Sequence, residues 1–224
     1  TNAWSQSTGK GVTVAVIDNG VLTDHPDLEG QLLPGYDFIS DAKRARDNDG
    51  YDADPYDEGD WNEPGECPAP NGADRGRPSS WHGSHVAGTI AARTNNGDGV
   101  AGVAPDAKIV PVRALGRCGG ESANIVDAIT WASGGKVNGA PTNKNPAQIL
   151  NLSLGGARVC PRFYQKAINA AVERGSIVVA AAGNNNEDAR NAAPASCENV
   201  ITVGATTSTG TRSSFSNYGD TVEI

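Results

Sequence analysis

The sequence predicts an α/β fold: a mostly parallel central sheet with helices on both faces, three layers in all. Three observations carry that reading. Short, continuous β-branched runs recur along the chain, segments with a helical apolar stripe separate them, and most of the runs end in Gly, Asn or Asp. A chain of 224 residues, 38% of them hydrophobic, suits a single domain of this kind with a sizeable core.

The first run, GVTVAVID at 11–18, is continuous, β-branched and largely apolar and closes on Asn-Gly, as a buried strand does. AKIVPVRAL (107–115), AQILNLSLGG (147–156), GSIVVAAAGN (175–184) and NVITVGAT (199–206) share that character. Helical segments fall between them. One covers 86–93. A second covers 122–133, with Ser122 in the N-cap position and Ile125, Ala128, Ile129 and Ala132 on one face. The third, RFYQKAINAAVERG at 162–175, closes on Gly175 as a C-cap. No internal repeat interrupts the alternation.

Composition excludes some function classes. The net charge of −8 repels phosphate backbones, so a nucleic-acid partner is not expected. No apolar run approaches the ~18 residues that a membrane span needs, so no membrane role is expected. The opening TNAWSQSTGKG lacks a charged-then-apolar export pattern, so any such signal has been removed or was never there. The acid is concentrated: ten acidic residues lie between Asp41 and Glu66, with Asp37 just before them. Four cysteines, Cys67, Cys118, Cys160 and Cys197, form no C-x-x-C pair, which argues against a zinc knuckle. They allow three pairings, among which the sequence does not choose. With methionine absent and Gly, Asn and Asp abundant, an exported protein with disulfides is expected rather than four buried thiols.

Function in parallel sheets collects beyond the carboxyl ends of the strands. The first strand ends in Asp18, a carboxylate after a largely apolar run, which is costly unless it has a partner or borders a cleft. It is also what a simple DNG turn would contain, and DNGVLTDHPDL lacks the glycine spacing of a nucleotide-binding turn. The run at 175–184 ends in Gly183 and Asn184, where an amide can donate to an oxyanion or simply sit in a loop. The run at 147–156 ends in two glycines, which either stop the strand or leave its edge open to a peptide. SSWHGSHVAGTIAA holds His82 and His85, three apart with no glutamate between them, unlike the H-E-x-x-H of zinc proteases. A histidine at the start of a helix, opposite a strand-end aspartate, can instead be a general base.

VAVIDNGV, HPDL, HGSHVAGTIAA, GVAPDAKIVPVRAL, ILNLSLGG, VVAAAGN and VITVGAT, in this order, resemble the subtilisin family of serine proteases over almost the whole chain. The resemblance implies a secreted endopeptidase acting on proteins or peptides. It makes Asp18 the residue that orients the base, His82 the base, and Asn184 the oxyanion donor, with His85 a packed neighbour. Ser153, Leu154 and Gly155 match the strand that pairs with substrate backbone. Gly119 and Gly120 fall near the second such strand. Asn19 replaces the family's usual serine or threonine, and either can hydrogen-bond to the carboxylate. At the expected base of the specificity pocket, Asn185 and Ala192 bring no charge, so a broad preference for apolar or medium-sized residues is expected.

The larger departure is the nucleophile. The family's serine lies in a G-T-S-M-A-like motif that residues 1–224 lack, and Ser213, Ser214 and Ser216 have no Gly-Thr context. The sequence is therefore expected to be one incomplete catalytic domain, inactive by itself, whose missing C-terminal segment carries the serine. The alternative is a non-catalytic, calcium-bound binding or scaffold relative, against which intact Asp18, His82 and Asn184 weigh. Within the acidic insert at about 41–67, Asp47, Asp49, Asp52, Asp54, Asp57 and Asp60 form either a solvated loop or calcium ligands. The resemblance favours calcium, and adds a second set in Asp27, Asn96, Asp98 and the Val100 carbonyl. By position, a Cys67–Cys118 bridge would tether the insert near the cleft, and Cys160–Cys197 would be the other pair.

Overall fold

The computed structural model describes residues 2–67 and 74–224. Six parallel strands form the central sheet in the order β2-β3-β1-β4-β6-β8. They are β1 (Thr13–Asp18), β2 (Tyr36–Asp37), β3 (Lys108–Arg113), β4 (Ile149–Leu152), β6 (Ile177–Ala181) and β8 (Val200–Val203). Five of the six are the runs read from sequence. Strand β2 was not foreseen, because only two residues pair, opposite Val112 and Arg113. Neither was the small antiparallel ladder of β5 (Gly156–Ala157) and β7 (Ala192–Ala193).

The helices are α1 (Ala42–Ala45), α2 (His82–Ala91), α3 (Ser122–Ala132) and α4 (Arg162–Glu173). Alternation along the strands assigns them to faces. Val14 and Val16 pack with Ile109 against Ala87 and Ala91 of α2. Ala15, Ile17, Val110, Val112, Leu150 and Leu152 pack on the other side against α3 and α4. The α3/α4 face is covered along the sheet, while the α2 face is covered over β1 and β3 and leaves Ile177 of β6 and Ile201 of β8 exposed. Each buried Ile, Leu or Val contributes about 1.5–3 kcal/mol. Helix α2 begins four residues earlier than its apolar pattern. In α3, Ile125, Ala128, Ile129 and Ala132 are buried as expected, but Ser122 is not the cap: Glu121 precedes the helix and no side chain caps it. Ser122 Oγ instead accepts from Arg158 Nη1 at 3.3 Å.

Arg113, at the carboxyl end of β3 and only 1% exposed, holds the acidic insert to the sheet. Its guanidinium donates to Asp37, to Asp47 Oδ2 at 2.6 Å, and to the Ala45 carbonyl. The disulfides are Cys67–Cys118 and Cys160–Cys197.

Candidate active site

Strand β1 delivers Asp18 to the carboxyl edge of the sheet, between the loops that leave β3 and β4. Its carboxylate is 1% exposed. His82, the first residue of α2, presents Nδ1 to both of its oxygens, at 2.8 and 2.9 Å. That hydrogen bond, the larger influence, raises the His82 pKa above its ordinary 6.5, while burial opposes it. With Nδ1–H donated to Asp18, the remaining ring nitrogen is left with a lone pair, which is the tautomer a general base needs.

Asn19 does not bond the carboxylate through its side chain, as had been expected of it. Its backbone N–H donates to Asp18 Oδ1 at 2.8 Å, and its side-chain Oδ1 accepts from Gly83 N–H at 2.7 Å. The amide of Asn19 therefore serves the first turn of α2, whose preceding residue, Trp81, offers no side-chain cap. Gly83 has its own reason: a Cβ there would lie 2.1 Å from the Gly20 carbonyl and 3.1 Å from Asp18 Cβ. Only glycine lets α2 approach β1 closely enough for the pair to form. Gly83 and Ser80, which also surround the pair, were missed as site residues. Only the glycine directly after His82 hinted at them. Asp60, read from sequence as a calcium ligand, and Asn19, read as a partner of the carboxylate, take other roles here.

Asp18 and His82 open on a cleft of about 320 Å³. Gly119 and Gly120 line it, as do Leu154, Gly155 and Gly156. A second cavity of about 280 Å³ shares the Leu154–Gly156 wall and contains Ser153 and Asn184. Asn184 is exposed, and its side chain makes no hydrogen bond among the described residues. Its loop is fixed from below by buried Asn217, whose Oδ1 accepts from the N–H groups of Asn185 and Glu187 at 2.9 and 3.1 Å. Asn185 and Ala192 do line this cavity, but so does Glu187, a carboxylate that the uncharged reading left out. His85, by contrast, is exposed rather than packed as expected, and lines a separate cavity with His25, Trp81 and Val100.

The structure divides the six aspartates of the insert. Asp47 and Asp52 converge with Asp37, their carboxylate oxygens within 4.8 Å of one another. Burial pushes Asp37 up to about 7 against the pull of Arg113. Burial likewise raises Asp52, and the charges of Asp49 and Asp47 add to it. Asp54 accepts from Tyr56 N–H at 3.1 Å in its own turn. Asp57 and Asp60 lie elsewhere, toward the end of β1. Asp57 is buried, pushed up to about 6 by that burial, with Oδ2 unpartnered among the described residues. Asp60 accepts from Ser80 and lines the cleft.

A hard cation needs converging oxygens. The group of Asp37, Asp47 and Asp52, with Asp49 beside it, supplies them, next to the Arg113 guanidinium that already pairs with Asp37 and Asp47. In the Asp27 set the contacts present are hydrogen bonds. Asp27 accepts from Asn96 Nδ2 at 2.7 Å and from Val100 N–H at 2.8 Å, donors that lower its pKa, the Val100 amide most. Val100 offers Asp27 its N–H, and Asp98 N–H turns inward to Asn96 Oδ1 at 3.3 Å.

The sequence profile described as "Subtilase family" matches residues 9–224. The chain belongs to the subtilase family. This subtilase chain is 54% identical over 222 residues to an extracellular protease of Xanthomonas campestris pv. campestris, covering 99% of the chain and 38% of that protein. It is 53% identical over 223 residues to an extracellular basic protease of Dichelobacter nodosus, covering 99% of itself and 37% of that protein. It thus spans less than two fifths of either curated relative. Among solved structures, a protease of Pseudoalteromonas arctica superposes with a TM-score of 0.95 at 50% identity, over 99% of this chain and 64% of that one. The three-layer subtilisin-like fold expected from the sequence is the one present.

Proposed function

We propose that the full-length protein is a secreted serine endopeptidase. Residues 1–224 supply its aspartate, its histidine and its oxyanion donor. The observation that carries this reading is the His82 ring held by both oxygens of buried Asp18, facing a cleft walled by glycine-rich segments. An extended peptide in that cleft finds backbone without side chains in its way at Gly119–Gly120 and Gly155–Gly156.

His82 takes the proton from a serine hydroxyl as that oxygen attacks the peptide carbonyl. Asp18 keeps the ring in its tautomer and favours the imidazolium. Asn184 donates its free side-chain N–H to the oxyanion. His82 then returns the proton to the leaving amine, and water repeats the sequence on the acyl-enzyme. In this reading the attacking serine belongs to residues of the full-length protein other than 1–224. Ser216 is buried with its hydroxyl given to Asn217, and Ser153 accepts from Asn151 at 3.0 Å.

Calcium is proposed at Asp37, Asp47, Asp49 and Asp52, where it neutralises charge and orders the insert without entering the reaction. Extracellular location rests on the names of the relatives and on the two disulfides.

The test is hydrolysis of a denatured protein by the full-length chain, with a fluorophosphonate probe for the reactive serine. Hydrolysis and labelling are expected. His82→Ala should lose turnover by about a millionfold, the scale known for the histidine of subtilisin's own triad. His85→Ala, at an exposed position outside the cleft, should leave turnover in place. A folded, calcium-loaded protein that neither hydrolyses nor labels would instead be a non-catalytic relative.

A further inference from the structure

The acidic insert reaches the Asp18–His82 pair at one point. Asp60 is 8% exposed and spends both carboxylate oxygens on Ser80: Oδ1 accepts from Ser80 N–H at 2.6 Å and Oδ2 from Ser80 Oγ at 3.0 Å. With its hydrogen given to Asp60, the Ser80 oxygen accepts from Asn19 Nδ2 at 3.3 Å. That contact fixes which way the Asn19 amide points, and its other end accepts from Gly83 N–H at 2.7 Å. The chain of bonds thus runs from Asp60 through Ser80 and Asn19 to the residue directly after His82.

A second observation bears on the same turn. Between Ser80 and His82 stands Trp81, with φ 51° and ψ 31°. A bulky residue in the left-handed region costs on the order of 1–2 kcal/mol and persists only where its surroundings over-determine it. Here Asp60 holds one side of the strained residue. Asp18 and Asn19 hold the other, helped by Ser84 Oγ, which accepts from Leu22 N–H at 2.8 Å.

We infer that Asp60 is a positioning residue for His82, acting through Ser80 and Asn19 to hold the left-handed turn that aims the imidazole at Asp18. This rests on the reading of His82 as the general base. The charge of Asp60 also favours the imidazolium, after the larger effect of Asp18. The other charged groups on this cleft are Arg77, 3.7 Å from Asp60 but 54% exposed and so well screened, and Arg158 from the loop after β5. Asp57 lies behind, close enough to feel both Asp18 and Asp60.

The test uses the full-length protein with two independent readouts: NMR titration of the His82 ring, which needs no turnover, and the pH profile of kcat/KM on a peptide. Asp60→Asn should lower the His82 pKa, move the acid limb to lower pH, and cut kcat about tenfold with KM nearly constant. Ser80→Ala keeps the charge and breaks the relay, so kcat should fall with a smaller pKa change. Ser80→Thr, which keeps the hydroxyl, should restore kcat. Circular dichroism melts confirm that each variant is folded. A folded Asp60→Asn with an unmoved His82 titration and an unmoved kcat overturns the inference, and a change in KM alone would make Asp60 a substrate contact instead. If the parent showed no hydrolysis, the endopeptidase reading would fail while the titration still judged the relay.

Discussion

Gly83→Ala separates two effects of opposite sign. Alanine is the better helix former by about 1 kcal/mol, and a glycine in a helix is ordinarily a place to gain stability. The added Cβ, however, would stand 2.1 Å from the Gly20 carbonyl oxygen, which is backbone and cannot swing aside. Reaching ordinary contact means moving the start of α2 by more than about 1 Å, and overpacking of this kind costs about 1–3 kcal/mol. The clash wins. The net loss is up to about 2 kcal/mol, a fall in Tm of up to roughly 8 °C for a domain of this size. The movement falls on the residue next to His82, so the Asp18–His82 distance opens, and a misplacement near 1 Å costs about a hundredfold in kcat/KM.

Gly88→Ala on the same helix is the control. Its Cβ meets nothing within 4 Å, so the propensity gain stands alone and Tm should rise by roughly 2–4 °C. The assays are thermal melts and peptide hydrolysis by the full-length protein. If Gly83→Ala matched Gly88→Ala in both, close approach of α2 to β1 would not be what the glycine serves.

The remaining expectations concern pH, cross-links and metal. The base must be neutral to act, so the acid limb of kcat/KM should lie above 6.5 and move down in Asp18→Asn; a limb that stays in place would refute the role of Asp18. Because the folded pKa of His82 is raised, its contribution to stability is complete below 6.5 and is lost as pH rises through the folded value, seen as a Tm decline that His82→Ala lacks. Closing 51 residues, the Cys67–Cys118 bridge should contribute about 4 kcal/mol in the chain-entropy account, and a Cys67→Ala/Cys118→Ala double variant should melt lower by that measure and be nicked within 41–67. Calcium at about a hundred times its Kd should add about 2.7 kcal/mol over chelated protein, and Asp47→Asn with Asp52→Asn should abolish the difference; equal melts with and without chelator in the parent would mean a solvated loop.

The regular architecture was legible because burial writes itself as pattern. Strands of a parallel sheet are largely apolar, so the runs holding β1, β3, β4, β6 and β8 stood out even where Ile177 and Ile201 remain exposed. Strand β2, two residues long, has no period to show, and β5 and β7 are made of Gly and Ala, whose pairing depends on what lies opposite. The start of α2 was legible only through the motif, since Trp81, His82 and Gly83 break the apolar stripe. Asp18, His82 and Asn184 were legible through their places at strand and helix ends and through the family resemblance. The geometry then showed Asp18 and His82 in contact, while Asn184 faces a neighbouring cavity.

What composition could not show was the division of labour within the acid. Six aspartates in fourteen positions look alike, and charge density treats them as one cluster. Their roles depend on what each meets across the fold: Asp47 meets Arg113 from the end of β3, and Asp60 meets Ser80 at the entrance to α2. Such partners lie at sequence separations of 66 and 20, invisible to any local reading. The insert is thereby fastened to the sheet through Arg113 at one end and to the His82 turn through Asp60 at the other, with Cys67–Cys118 closing it against the loop beside Gly119. A segment held at both ends transmits its own order to the cleft. Loss of calcium or of the disulfide should therefore reach kcat as well as Tm, and Asp60→Asn should make kcat insensitive to either loss.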